Sequence, residues 1–247
     1  MARGTPDARI QESTYAGQIS DLAYIANMLW GFSPIDSQGR VTYLDTFNNG
    51  LGGFIYETNG GAAIPSLVNP GLSVITQVFC PPNMVKINAG VSSGDDVYIQ
   101  RGMFWGINTR LGLEVALRCD TNSPNYIIRM DYMLDSTHSA RCELNYNRAA
   151  GNWRIQVAGG GYQNIYGMSM AGIGNRWVQV KVVADWSTKK YMRAFIGERF
   201  FDISAYTMYN LTFSTAGDFF TSIGAASYGA GSADGYIGYV LLTKDEP

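Results

Sequence analysis

The sequence predicts an all-β chain: an antiparallel two-sheet jelly-roll β-sandwich carrying an extended N-terminal arm and one short N-terminal helix. Three observations predict it. Segments of alternating apolar and polar residues recur about every 10–15 residues from Val41 onward, with Gly, Asn, Asp or Pro at nearly every break. Among 247 residues, Gly (29) and Tyr (16) are abundant and charged residues make up only 15%, a composition that favours short strands and tight turns over long amphipathic helices. No segment of helical period and length interrupts the strands, which excludes parallel βαβ units.

The elements follow in order. Residues 1–19 are polar and without period, an extended arm. In "SDLAYIANMLW", Ser20 is a candidate N-cap ahead of Leu22, Ile25, Ala26 and Leu29 at helical spacing, so one short helix is predicted over about 20–30, stopped by "GFSP". Residues 1–40 are read as this arm and 41–247 as the sandwich. Strands are predicted in "VTYLDTF", "LSVITQVFC", "MVKINAG", "MFWGINTR", "LGLEVALRCD", "NYIIRMDYML", "ARCELNYNR" and "NWRIQVAGG". They continue in "WVQVKVVAD", "YMRAFIG", "RFFDIS", "FTSIGAASYG" and "GYIGYVLLT". Gly197-Glu198 fits a two-residue type II′ hairpin, because glycine supplies positive φ at the first central position. Gly151-Asn152 closes a longer hairpin. The glycine-rich stretches 158–175 and 228–236 read as loops; they lack the Gly-Lys-Ser/Thr ending of a phosphate loop.

Three quoted stretches carry a family resemblance. "TYLDTFNNGLGGF", "RWVQVKVVADWSTKKYMRAFIGERFFDIS" and "DGYIGYVLLTKDEP" resemble the concanavalin A-like lectin/glucanase superfamily, of laminin-G-like jelly-roll type, over about 41–247. The resemblance implies a two-sheet sandwich and a sugar-related role, as a non-catalytic member. Gly238 and Tyr239 stand where the family's closing strand carries an acidic pair.

Catalysis is not expected. The glucanases of that superfamily place Glu-x-Asp-x-x-Glu or Glu-x-Asp-x-Glu on one strand, so that two carboxyls share a face. Here Glu114 and Glu143 each stand alone, Asp131 and Asp135 are separated by a turn, and Glu198 and Asp202 flank a hairpin. The single histidine, His138, crowds one turn with its Ser and Asp neighbours, unlike a nucleophile with its own oxyanion site. No cofactor is expected. The one metal weighed is calcium, held by Asp45 and Asn48 after the first strand and Asp234 before the last, if those strands are neighbours. Cys80, Cys119 and Cys142 match no zinc spacing and read as buried thiols, with a Cys119–Cys142 bridge as the alternative.

The aromatics are the best lead for binding. Trp186 falls in a predicted loop with Lys189 and Lys190 and is expected to be exposed; Tyr162 and Tyr166 lie in the glycine-rich loop. These five are the expected glycan or partner contacts. The arm residues Arg9, Ile10, Tyr15, Leu22, Ile25, Leu29 and Trp30 are expected to bind another subunit, because a polar arm orders when a neighbour holds it. A net charge of −2 argues against a general nucleic-acid binder, and no run of 18 apolar residues predicts membrane insertion. The first residues have no apolar signal-peptide region, which predicts synthesis in the cytoplasm. The expected function is a non-enzymatic jelly-roll subunit of a homo-oligomeric assembly, such as a phage virion surface or decoration protein. Its partners would be other copies or a shell protein, with glycans as a further ligand. A free lectin-like module is the alternative, and a glycoside hydrolase the more distant one.

Overall fold

Alternation along each strand sends every second side chain into a shared core, and the structure, a computed structural model, shows where. It describes residues 39–47, 50–51, 53–68, 83–103, 110–119, 124–133, 139–170, 177–211, 219–227 and 234–247. The expected helix, the seven arm residues, Asn48, Cys80 and His138 lie outside these residues.

The described residues form sixteen strands in two antiparallel sheets, numbered in chain order. The first sheet runs β13 (Arg199–Asp202), β12 (Lys190–Ile196), β11 (Val178–Asp185), β6 (Arg110–Cys119), β16 (Asp234–Lys244), β4 (Met84–Asn88) and β3 (Ala63–Val68). Strand β1 (Arg40–Asp45) also pairs with β16. The second sheet runs β10 (Tyr162–Gly167), β9 (Asn152–Gln156), β8 (Ser139–Asn147), β7 (Asn125–Met133), β15 (Phe219–Ala226), β5 (Asp96–Met103) and β2 (Ile55–Asn59), with β14 (Tyr209–Leu211) against β8. The architecture is the jelly-roll sandwich the sequence predicts.

Leu113, Val115 and Leu117 of β6, Val180 and Val182 of β11, and Val240 and Leu242 of β16 face Val97, Ile99, Ile128, Met130, Leu144, Trp153 and Ile155 of the other sheet. Each such side chain stabilises the fold by about 1.5–3 kcal/mol on burial. Cys142 is a free, buried thiol in this core, so the Cys119–Cys142 bridge does not form. The Tyr191 hydroxyl spans the sheets, accepting from the Glu143 N–H at 2.9 Å and donating to the Gln156 carbonyl at 2.6 Å. This strut fixes the height of β8 and β9 over the first sheet.

The two-residue hairpin is as expected: Gly197 has φ +58°, and Ile196 faces Arg199. Four regions differ from expectation, two of them being β5, apart from Met103, and β14, which form strand where none is predicted. The stretch from Ile55 to Val68, not read as strand, forms β2 and β3, edge strands of different sheets joined across Gly60 and Gly61. Part of the glycine-rich stretch is strand β10, because "YQNIYG" pairs with β9 once Gly159 and Gly160 have turned the chain with positive φ.

Asp95 secures the β2–β3 corner. Its Oδ2 accepts the N–H groups of Val91 and Ser92 at 3.1 and 2.9 Å, and a Cβ at Gly60 would lie 2.0 Å from its Oδ1. The Gly61 N–H above all, then that of Ser92, holds this carboxyl below its usual range. A carboxyl held low stabilises the fold above its unfolded value of about 4, and the benefit is lost as pH falls through the folded value. Asp95→Asn is therefore expected to melt below the parent at pH 7, and the gap between their melting temperatures to shrink as pH is lowered below 4.

The outer face of the first sheet holds a buried ionic cluster. Glu246 binds Lys181 Nζ at 2.7 Å through Oε1 and Arg193 Nη2 at 2.5 Å through Oε2, and it accepts from the Thr243 hydroxyl. Next to it Tyr239 donates to Glu114 Oε1 at 2.6 Å and accepts from Gln179 at 2.9 Å. Tyr239 is thus a partner for the buried Glu114.

A candidate binding cleft on the second sheet

Where one residue enters the core, its neighbours face out. Val97 and Ile99 enter from β5, so Asp96, Tyr98 and Gln100 face outward; Ile128 and Met130 enter from β7, so Arg129 and Asp131 do. Phe220, Ser222 and Gly224 of β15 and Arg141 and Glu143 of β8 take the same side. Register sets these residues in rows across the sheet. Gln100 faces Ser222, Ser222 faces Arg129, and Arg129 faces Glu143. Phe220 faces Asp131, which faces Arg141; Glu57 of β2 faces Tyr98, which faces Gly224. A cleft of about 550 Å³ lies over these rows, bounded on one side by Glu57, Thr58 and Asn59. From β8 to β2 it crosses four strand spacings, about 19 Å.

Tyr98 lies down across the sheet because Gly224 leaves room: a Cβ there would come within 2.3 Å of Tyr98 Cδ1. The Arg129 guanidinium sits 5.3 Å from the ring centroid of Tyr98. Arg129 Nε and Nη2 both donate to Glu143 Oε2, at 3.1 and 3.0 Å. Arg141 grips Asp131 through both oxygens, at 2.7 and 3.0 Å. At the β2 end Gln100 donates to Glu57 at 2.7 Å. Burial first, and then the charge of Glu57, raise the Asp96 carboxyl above its usual value.

The expected contact residues fall in different places. Tyr162 stands beside this surface, 42% exposed, and donates to Glu143 Oε1 at 2.9 Å. Burial and the Glu143 charge push its hydroxyl up to about 12. Arg154 caps the ring at 3.9 Å. Tyr166 does not join it, because the pairing shifts between Asn164 and Tyr166; its ring packs 5.1 Å from Phe201, with Arg199 at 5.0 Å. Lys190 is exposed and faces Asp185 at the foot of the β11–β12 turn, and Lys189 takes a positive φ of 55° within it.

Trp186 corrects an expectation. It is buried, at 3% exposure, with its ring 5.5 Å from Phe219 and 6.0 Å from Tyr132. Asp185 Oδ1 accepts the Ser187 and Thr188 N–H groups, which curls the turn and drops the indole between the sheets. The calcium set is corrected as well. Asp45 faces Val240 and Asp234 faces Asn88, six positions apart along β16 or about 20 Å. Asp45 is bound by the Tyr43 hydroxyl and the Phe47 N–H, and Asp234 by Lys86 and Asn88. The described residues contain no group of three His, Cys, Asp or Glu placed to hold a metal.

The cleft residues Glu57, Tyr98, Gln100, Arg129, Phe220 and Ser222 were not singled out from the sequence. The signal was there as outward-facing polar residues alternating with Val97, Ile99, Ile128 and Ile223. Which strands lie side by side was not in it.

Among solved structures the chain is similar to a carbohydrate esterase from the Shiga toxin-encoding bacteriophage phi24B, at 12% identity and a TM-score of 0.49, covering 84% of this chain and all of that one. It is similar to a mixed-linkage glucan GH16 protein of Bacteroides ovatus, solved with a product bound, at 13% identity and 0.49, covering 81% and 99%. Peanut lectin, with a nine-residue peptide, follows at 11% and 0.46, covering 82% and 96%. The sandwich itself is two antiparallel eight-stranded sheets in a jelly-roll arrangement. No protein-family profile and no curated protein matches the sequence. The solved structures it is similar to include lectins, a glucanase and a carbohydrate esterase.

Proposed function

We propose that this chain is a non-enzymatic carbohydrate-binding sandwich, and that the cleft on the second sheet takes a stretch of sugar chain. The observation that supports the reading is the row of polar side chains Gln100, Ser222 and Arg129 between the rings of Tyr98 and Phe220, over a length greater than one sugar. Amide, hydroxyl and guanidinium groups match sugar hydroxyls, and the ring faces match the apolar faces of the sugar. A glycan array probed with the parent and Tyr98→Ala tests it. Binding in the parent that drops at least about tenfold in the variant is expected, as for loss of a buried aromatic anchor. Equal binding by both removes the cleft from the reading.

A hydrolase reading has one observation in its favour: Glu57 and Asp96 lie on adjacent strands of one face, and the Asp96 carboxyl is raised. Release of reducing sugar from β-glucans by the parent and not by Glu57→Gln would replace binding with catalysis.

The companion proposal is that copies of the chain assemble, as in a phage surface particle. It draws support from Ile55, Tyr56, Ile64 and Leu67, exposed apolar residues along the β2–β3 edge. Light scattering is expected to give a mass above 27.0 kDa that falls on Ile64→Lys; a monomer in the parent ends this proposal.

A further inference from the structure

Resting on the binding reading, the charges of the cleft say which sugars it takes. Arginine recognises carboxylate, sulfate or phosphate through a fork of parallel N–H donors. In this cleft the Nε–Nη2 fork of each arginine is already filled from within. Arg141 is matched oxygen for oxygen by Asp131, and Arg129 closes on Glu143. Glu143 is nearly fully buried and also takes the Tyr162 hydroxyl. Arg154, farther along the same face, is turned to Asn145 at 2.8 Å and stacked on Tyr162.

The negative charges are not balanced in the same way. Glu57 and Asp96 stand together at the β2–β5 end, and Glu57 is bound by the neutral Gln100. Neither carboxylate forms a salt bridge with a described residue. Asp131 and Glu143 are each bound by one of the two arginines, so Glu57 and Asp96 add negative charge that neither Arg129 nor Arg141 pairs with. A ligand anion arriving here would meet like charge at one end and occupied forks at the other. Sugar hydroxyls, which donate as well as accept, suit the Gln100 and Ser222 groups.

We infer that the cleft selects uncharged sugar chains and rejects acidic ones, with Glu57 and Asp96 as the excluding charges and Asp131 withholding the Arg141 fork. The residues that set this choice are separate from the rings that give affinity.

The test is an array carrying neutral oligosaccharides beside sialylated, sulfated and uronate-containing counterparts, probed with the parent, Glu57→Gln/Asp96→Asn and Asp131→Asn. In the parent each acidic counterpart is expected to bind at least about tenfold more weakly than its neutral form, a gap that narrows as salt rises. Both variants are expected to gain several-fold for the acidic members while neutral binding stays within about twofold. Asp131→Asn opens the fork, and a gain of binding is an outcome that loss of structure does not produce. Glu57 is on an exposed edge strand, so its replacement leaves the fold intact. Equal or tighter binding of acidic members by the parent overturns the inference while leaving the binding reading in place. So does an unchanged preference in both variants. No binding of any glycan, neutral or acidic, overturns both.

Discussion

Glu246→Ala is expected to lose about 3–5 kcal/mol of stability, the cost of removing one partner from a buried ion cluster. Lys181 is fully buried and Arg193 nearly so, and both point at this carboxylate. The cluster fits only because residue 112 is glycine: a Cβ there would lie 2.5 Å from Thr243 Oγ1 and 2.7 Å from Glu246 Oε1. Arg193 also donates to the Pro247 carbonyl at 2.8 Å, so the carboxylate holds the last residues against β11 and β12. Urea titration of the parent and the variant checks this, read from the midpoint at unchanged slope. A loss below about 1 kcal/mol, the scale of a surface pair, would mean that water reaches the cluster.

Gly224→Ala is expected to damage fold and binding together. The new methyl would lie 2.3 Å from Tyr98 Cδ1 and 2.5 Å from the Val97 carbonyl oxygen. The ring can swing away, but the carbonyl belongs to the neighbouring strand β5, so the ladder must shift. Overpacking of this kind costs about 1–3 kcal/mol. Tyr98 would also be lifted from its place on the sheet, removing the platform of the cleft. Thermal melting and the glycan array read the two effects separately. A variant with the parent's melting temperature and the parent's binding would show that Tyr98 does not need that glycine.

These expectations show what alternation could and could not reveal. Strands β6, β7, β8, β11, β12 and β16 were legible because apolar residues at every second position mark a half-buried strand. Strands β2, β3 and β10 were not, because Gly60-Gly61, Pro65 and the Gly159–Gly161 run read as loop, although short edge strands tolerate such punctuation; β5 was not either, because it starts in the "SSGDDV" turn and carries Gly102 near its end. Trp186 was misplaced for a related reason. Periodicity ends at a turn, and nothing in "DWSTKK" says that Asp185 will fold the indole inward. The cleft joins Glu57, Gln100, Arg129 and Phe220, far apart in sequence, and only strand order brings them together. The small residues of "SIGAAS" in β15 were a usable clue, since a strand without bulk on its outer face leaves room for a neighbour's ring to lie across it.

The most direct measurement is a titration of the isotopically labelled chain with the best neutral glycan from the array, followed by amide chemical shifts. Shifts are expected to move together and saturate on the outward positions of β5, β7 and β15, around Tyr98, Gln100, Arg129, Phe220 and Ser222. Saturable shifts centred instead on the Trp186 turn or on Tyr166, with those strands unmoved, would contradict a binding cleft on the second sheet.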